Sequence, residues 1–103
     1  MWFAIYCEDV PDSLEKRLET RTAHLENLQK LVDQNRVLLA GPFPKAAGGN
    51  PAEVGFDGSL IIADFPTQEA AQAWIDQDPY VLAGVFESIQ VRPFHQVFPK
   101  PTG

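Results

Sequence analysis

The first stretch of the chain, Trp2-Phe3-Ala4-Ile5-Tyr6-Cys7, is apolar on both alternating faces. Trp2, Ala4 and Tyr6 share one face, and Phe3, Ile5 and Cys7 the other. That pattern predicts a β-strand covered on both sides, and therefore a central one. Glu8 to Asp12 breaks it. Asp12 or Ser13 is placed to cap a helix, with Glu15 in the first turn. From Ser13 to about Asn35 the period is helical. Leu14, Leu18, Leu25, Leu28 and Val32 fall within an arc of roughly 80° at helical spacing. Arg17, Arg21 and His24 interrupt that arc or border it, and Arg21 lies near its centre.

Arg36 to Phe43 reads as a second strand, stopped by Gly41-Pro42. Pro44 to Gly55 reads as a loop around Gly48-Gly49-Asn50-Pro51, long enough to cover a site. Gly58 to Phe65 is a third strand, again apolar on both faces. Pro66 ends it, and Thr67 caps a second helix containing Ala70, Ala71, Ala73, Trp74 and Ile75. Asp78-Pro79 has the signature of an N-cap followed by the first helical residue, and Gly84 that of a helix stop. Val85 to Phe98 is the last strand, and Pro93 within it marks an edge. Residues 99–103 read as a frayed tail.

The order strand, helix, strand, strand, helix, strand predicts an α+β, ferredoxin-like βαββαβ fold with an antiparallel sheet. One such domain spans residues 1–98. The first and third strands take the centre, and the proline-bearing fourth an edge. Both helices then cover one sheet face. The bare face calls for a partner, most simply a second copy related by a two-fold axis. A ligand-filled open face is the alternative.

The 103 residues fit one domain and carry a net charge of -6. That acidity argues against nucleic acid and anionic membrane as partners, since both favour a basic footprint. The N-terminus lacks signal-peptide features, and no apolar run is long enough to span a bilayer, so a cytoplasmic protein is expected. The single cysteine, Cys7, sits in an apolar run and reads as a buried, inert thiol. A sensing role for it would need an accessible, activated thiolate. Metal-site, phosphate-loop and dinucleotide motifs are missing, so neither metal nor cofactor is expected.

Candidate chemistry rests on a few side chains. His24 is either a boundary histidine bonded to backbone or carboxylate, or a general acid/base titrating near neutrality. Asp78 caps a helix and is also a candidate to orient that imidazole. Arg21 would clamp an anion or pair with a core carboxylate. Ser59 would touch a substrate or satisfy a turn at Gly58.

The chain resembles the YciI-like, YCII-related family. The resemblance is carried by Tyr6, Arg21-Thr22-Ala23-His24-Leu25, Gly41-Pro42, Gly58-Ser59 and Ala70-Ala71-Gln72-Ala73-Trp74. Asp78-Pro79-Tyr80, Ala83-Gly84-Val85 and Val91-Arg92-Pro93-Phe94 complete it. It implies a dimeric α+β barrel related to muconolactone isomerase-like folds. It also implies an active-site pair at His24 and Asp78, and some relatives are dehalogenating lactone enzymes of chlorinated-aromatic degradation. The expectation is a small homodimeric enzyme using His24 and Asp78 for acid/base chemistry on a small organic substrate, a lactone or an anion. Arg21, Ser59 and Tyr6 would contact that substrate. The alternative is a non-catalytic small-molecule-binding or accessory dimer.

Overall fold

The computed structural model describes residues 1–102, so Gly103 of the expected tail lies outside the described residues. The elements are β1 (Trp2–Asp9), α1 (Leu14–Asp33), β2 (Val37–Pro44) and α2 (Pro51–Val54). They continue with β3 (Phe56–Asp64), α3 (Gln68–Asp76), α4 (Pro79–Leu82) and β4 (Phe86–Phe94). The four strands form one antiparallel sheet in the order β2-β3-β1-β4. This is the ferredoxin-like arrangement, with β1 and β3 central as their two apolar faces predict. Two short helices are added: α2 inside the expected loop, begun by Asn50, and α4 after Asp78. The last strand ends at Phe94, so His95 lies beyond it and is exposed.

Register decides which side chains meet. Opposite partners Phe3–Ala63, Ile5–Ile61 and Cys7–Ser59 point toward the helices. Leu28 and Leu31 of α1 and Ala71 and Ile75 of α3 close over Phe3, Ile5, Cys7 and Ile61 as the core. Gly58 lies inside β3 rather than in a turn. A Cβ there would stand 2.5 Å from the Cys7 carbonyl oxygen, so only glycine lets β1 and β3 approach this closely. The alternate residues of the sheet point the other way. Tyr6, Leu39, Phe43 and Phe94 on that side are all substantially exposed.

Helix α1 does not bury its leucine arc. Leu18 is 57% exposed, Leu25 42% and Val32 46%, and only Leu28 of the arc is buried. The buried line runs through Ser13, Arg17, His24, Leu28 and Leu31. The helix is therefore turned by roughly 80° from its hydrophobic axis, at 100° per residue. The polar members of that line make this possible because each carries its own partner (below), which removes the penalty of burying it alone. Arg21 follows from the same rotation. It is exposed rather than buried, and has no ion-pair or hydrogen-bond partner among the described residues.

Candidate active site

The end of α3 and the start of α4 build the acidic half of the site. Asp78 has extended backbone (φ -64°, ψ 137°), and Pro79 follows it as the first helical residue. Its side chain accepts the Tyr80 N–H at 2.9 Å and so caps α4. Gly84, at φ 78°, then reverses the chain into β4, a conformation glycine adopts without strain.

The same carboxylate receives two side chains from α1. His24 Nδ1 lies 2.8 Å from Asp78 Oδ2, and Asn27 Nδ2 donates to Oδ1 at 2.9 Å. His24 and Asn27 are three residues apart and so share one face of the helix. Asp78 is 0% exposed; it accepts from Asn27 Nδ2 and from the Tyr80 N–H, and His24 Nδ1 is its third contact. Donation from Nδ1 to this carboxylate matches the other two contacts of Asp78 and leaves Nε2 without a hydrogen bond. Among the described residues no buried side-chain nitrogen or oxygen lacks a partner, and Nε2 makes no hydrogen bond, so Nε2 reaches open space.

His24 lines a pocket of about 710 Å³ between α1, the β2–β3 side of the sheet and α2. His24, Arg21, Leu18 and Leu25 line it from α1, Pro42, Phe56, Ser59 and Ile61 from the sheet, and Asn50 and Pro51 from the α2 segment. The leucines that α1 leaves uncovered are thus partly the pocket wall. Tyr80 completes it. Its ring stacks on His24 with centroids 3.9 Å apart and planes 10° apart. Burial pushes the Tyr80 phenol above its ordinary pKa, against the pull of Arg17 and Arg21, so it stays protonated near neutrality.

Under the pocket lies a second buried polar group. Arg17 Nε and Nη2 meet Asp9 at 2.6 and 2.8 Å, and Nη2 also donates to Gly58 O and to Ser59 Oγ, both at 2.9 Å. Ser13 Oγ donates to Asp9 Oδ2 at 2.6 Å. Ser13 caps α1 by position, but its side chain is spent on Asp9. The guanidinium lies over Tyr80, Phe56 and Phe86, with centroids 5.2 to 5.8 Å away. This network fixes β1, α1 and β3 to one another and supports Tyr80 from behind. Cys7 sits against it, fully buried, and burial with the nearby Asp78 and Asp9 charges pushes its pKa up to about 12. Among the described residues no three His, Cys, Asp or Glu side chains converge as a metal-binding set.

The structure thus brings together His24 and Asp78 and places Arg21 and Ser59 on the same pocket. It does not bring Tyr6 there. Side chains alternate along β1, and with Ile5 and Cys7 facing the helices, Tyr6 packs on Phe43 across the opposite face. Sequence reasoning missed Asn27, Tyr80 and Asp9, and noted Arg17 only as a break in the apolar pattern. Its spacing of seven from His24, two helical turns, was the available signal.

A family model for the YCII-related domain matches residues 1–95. The chain belongs to the YCII-related family. It is 54% identical over 98 residues to the protein YciI of Escherichia coli O6:H1, covering 95% of this chain and all of that one. An uncharacterized protein of Haemophilus influenzae is 48% identical over the same shares. Among solved structures, the 5-chloro-2-hydroxyhydroquinone dehydrochlorinase of Burkholderia phenoliruptrix AC1100, in complex with 2,5-dihydroxybenzoquinone, superposes with a TM-score of 0.83. It is 28% identical, over 92% of this chain and 94% of that one. The fold and family expected for this YCII-related chain are therefore both found. Among its described residues no helix is long and apolar enough to cross a membrane.

Proposed function

We propose that this YCII-related chain is a small cytoplasmic homodimeric enzyme, residues 1–98 forming its one domain, that moves protons on a small organic substrate. His24 is the proton carrier and Asp78 orients it. The observation that carries this reading is the contrast between the two imidazole nitrogens. Nδ1 is tied to a fully buried carboxylate, while Nε2 opens on a pocket large enough for a small molecule. Asp78 orients the ring and stabilises the imidazolium that forms when Nε2 takes a proton.

The dehydrochlorinase likeness supports elimination as the reaction type. Nε2 takes a proton from an acidic C–H or O–H of the substrate. The freed electron pair moves into the conjugated system and expels a leaving group as an anion, or is reprotonated elsewhere as an isomerisation. In the elimination the imidazolium then releases its proton to solvent beside the departing anion, in the isomerisation it returns it to the substrate, and neither route takes an external oxidant or reductant. The exposed apolar residues Tyr6, Leu39, Phe43 and Phe94 on the open sheet face support sheet-to-sheet pairing of two copies.

The test is turnover of a panel of halogenated hydroxyquinols and lactones by wild type, His24→Ala and Asp78→Asn. Loss of roughly 100-fold or more in kcat with the fold retained supports the reading. Full activity in both variants overturns it. One observation favours a rival reading, a non-catalytic binding module. Asp78 also caps α4 and ties α1 to it through His24 and Asn27. On that reading both variants lose stability and leave ligand affinity unchanged.

A further inference from the structure

We infer that the ligand of this pocket is a compact, mostly apolar molecule carrying one delocalised negative charge, a ring carboxylate or an ionised enol or phenol, and that Arg21 binds that charge. The inference rests on the acid/base reading of the same pocket and names its substrate class.

The argument is a charge inventory. The chain has 14 acidic and 8 basic side chains other than histidine, yet no Asp or Glu lines the pocket, whereas two arginines do. The Arg17 charge is already answered by Asp9 at 2.6 Å. Arg21 has no such answer among the described residues. It lies three residues before His24 on α1, and Arg21, His24 and Tyr80 line the same pocket. One unanswered cation in a wall of Leu18, Leu25, Pro42, Phe56 and Ile61 selects one negative charge on an apolar body. A phosphate normally recruits a backbone nest or several cations, whereas Arg21 is the one arginine of this wall without an ion-pair partner among the described residues. The charge also suits the chemistry. An enolate or phenolate formed when His24 takes a proton is countered by the Arg21 charge.

The experiment is calorimetric titration of the full-length protein with 2,5-dihydroxybenzoate, benzoate and 2,5-dihydroxybenzoquinone, each against its neutral amide or ether. Wild type, Arg21→Gln, Arg21→Lys and His24→Ala are compared. The expected result is that anions bind wild type more tightly than their neutral partners. Arg21→Gln weakens the anions by roughly tenfold and the neutral compounds hardly at all, with partial recovery in Arg21→Lys. Equal binding of anion and neutral partner, anion affinity untouched in Arg21→Gln, or no binding of any anion at millimolar concentration overturns the inference. The two readings separate in the His24→Ala variant. Arg21-dependent anion binding with turnover surviving in His24→Ala rejects the acid/base role and keeps the substrate class. Loss of turnover in His24→Ala with Arg21-independent binding does the reverse.

Discussion

Asp78 Oδ2 holds His24 Nδ1 at 2.8 Å and the Tyr80 backbone N–H at 2.9 Å, so one oxygen both orients the imidazole and starts helix α4. The two tasks make different demands. Capping needs an acceptor of the right shape, and asparagine serves nearly as well as aspartate. Orienting a base and stabilising its imidazolium needs a negative charge.

Two substitutions at this position separate those demands. Asp78→Asn keeps an acceptor for Tyr80, and its expected thermal unfolding shift is small compared with its loss of turnover. Asp78→Ala removes the cap and strands the donors of His24 and Asn27 in a buried site. It is expected to lose about 2–4 kcal/mol, combining a lost cap with lost buried hydrogen bonds. Urea denaturation of both variants beside their kcat checks the split. Equal stability losses in the two variants would mean that the negative charge itself holds the fold, and the two demands would not separate.

Arg17 and Asp9 make a different case, since their ion pair is buried on both sides. Removing Arg17 alone leaves Asp9 charged with only Ser13 to satisfy it. Arg17→Met is expected to cost about 3–5 kcal/mol, the usual penalty for breaking a buried pair from one side. The double variant Arg17→Met/Asp9→Leu is expected to recover much of that loss, because no charge is then stranded. A double-mutant cycle by chemical denaturation measures the coupling. Additive losses would mean that the pair contributes no mutual stabilisation.

Cys7 gives the chain an alkaline weakness. Its folded pKa of about 12 lies above the ordinary thiol value of 9.0. Between those values the unfolded chain releases the thiol proton and the native chain keeps it. The native state therefore binds more protons, and stability falls as pH rises from about 9 toward 12. The raised Tyr80 phenol acts in the same direction from its own ordinary value of 10.0 upward. Below pH 9 neither group contributes a slope. Urea unfolding at pH 8 to 11 is expected to show a declining stability that is shallower in Cys7→Ala. The native thiol is also expected to resist iodoacetamide at pH 8. Rapid alkylation under native conditions would contradict its burial.

The fold was legible because strand pattern survives translation into structure. Two apolar faces on β1 and β3 can only be central strands, and Pro93 is tolerated in β4 because that strand is an edge. The Asp78-Pro79 cap and the Gly84 stop were legible for the same local reason. The face of α1 was not. A leucine stripe normally marks the buried side of a helix, but here Arg17 and His24 find buried carboxylates on other elements and turn the helix away from its leucines. Asp9 and Asp78 lie 8 and 54 residues from those partners, and no local spacing announces such pairings. Tyr6 was misplaced relative to the pocket for a simpler cause. Both faces of β1 are apolar, so its sequence does not say which face meets the helices.

The most direct measurement is nitrogen NMR of the His24 ring near neutral pH, with and without a ligand in the pocket. A carboxylate bonded to Nδ1 requires a proton there, and a base aimed at the pocket requires a bare Nε2 as well, the tautomer protonated at Nδ1. The expected spectrum shows that tautomer in wild type, an Nε2 resonance that moves when ligand enters, and mixed tautomers in Asp78→Asn. A ring protonated at Nε2 alone, or an Nε2 resonance indifferent to every ligand that binds, would contradict a base held by Asp78 and aimed at the pocket.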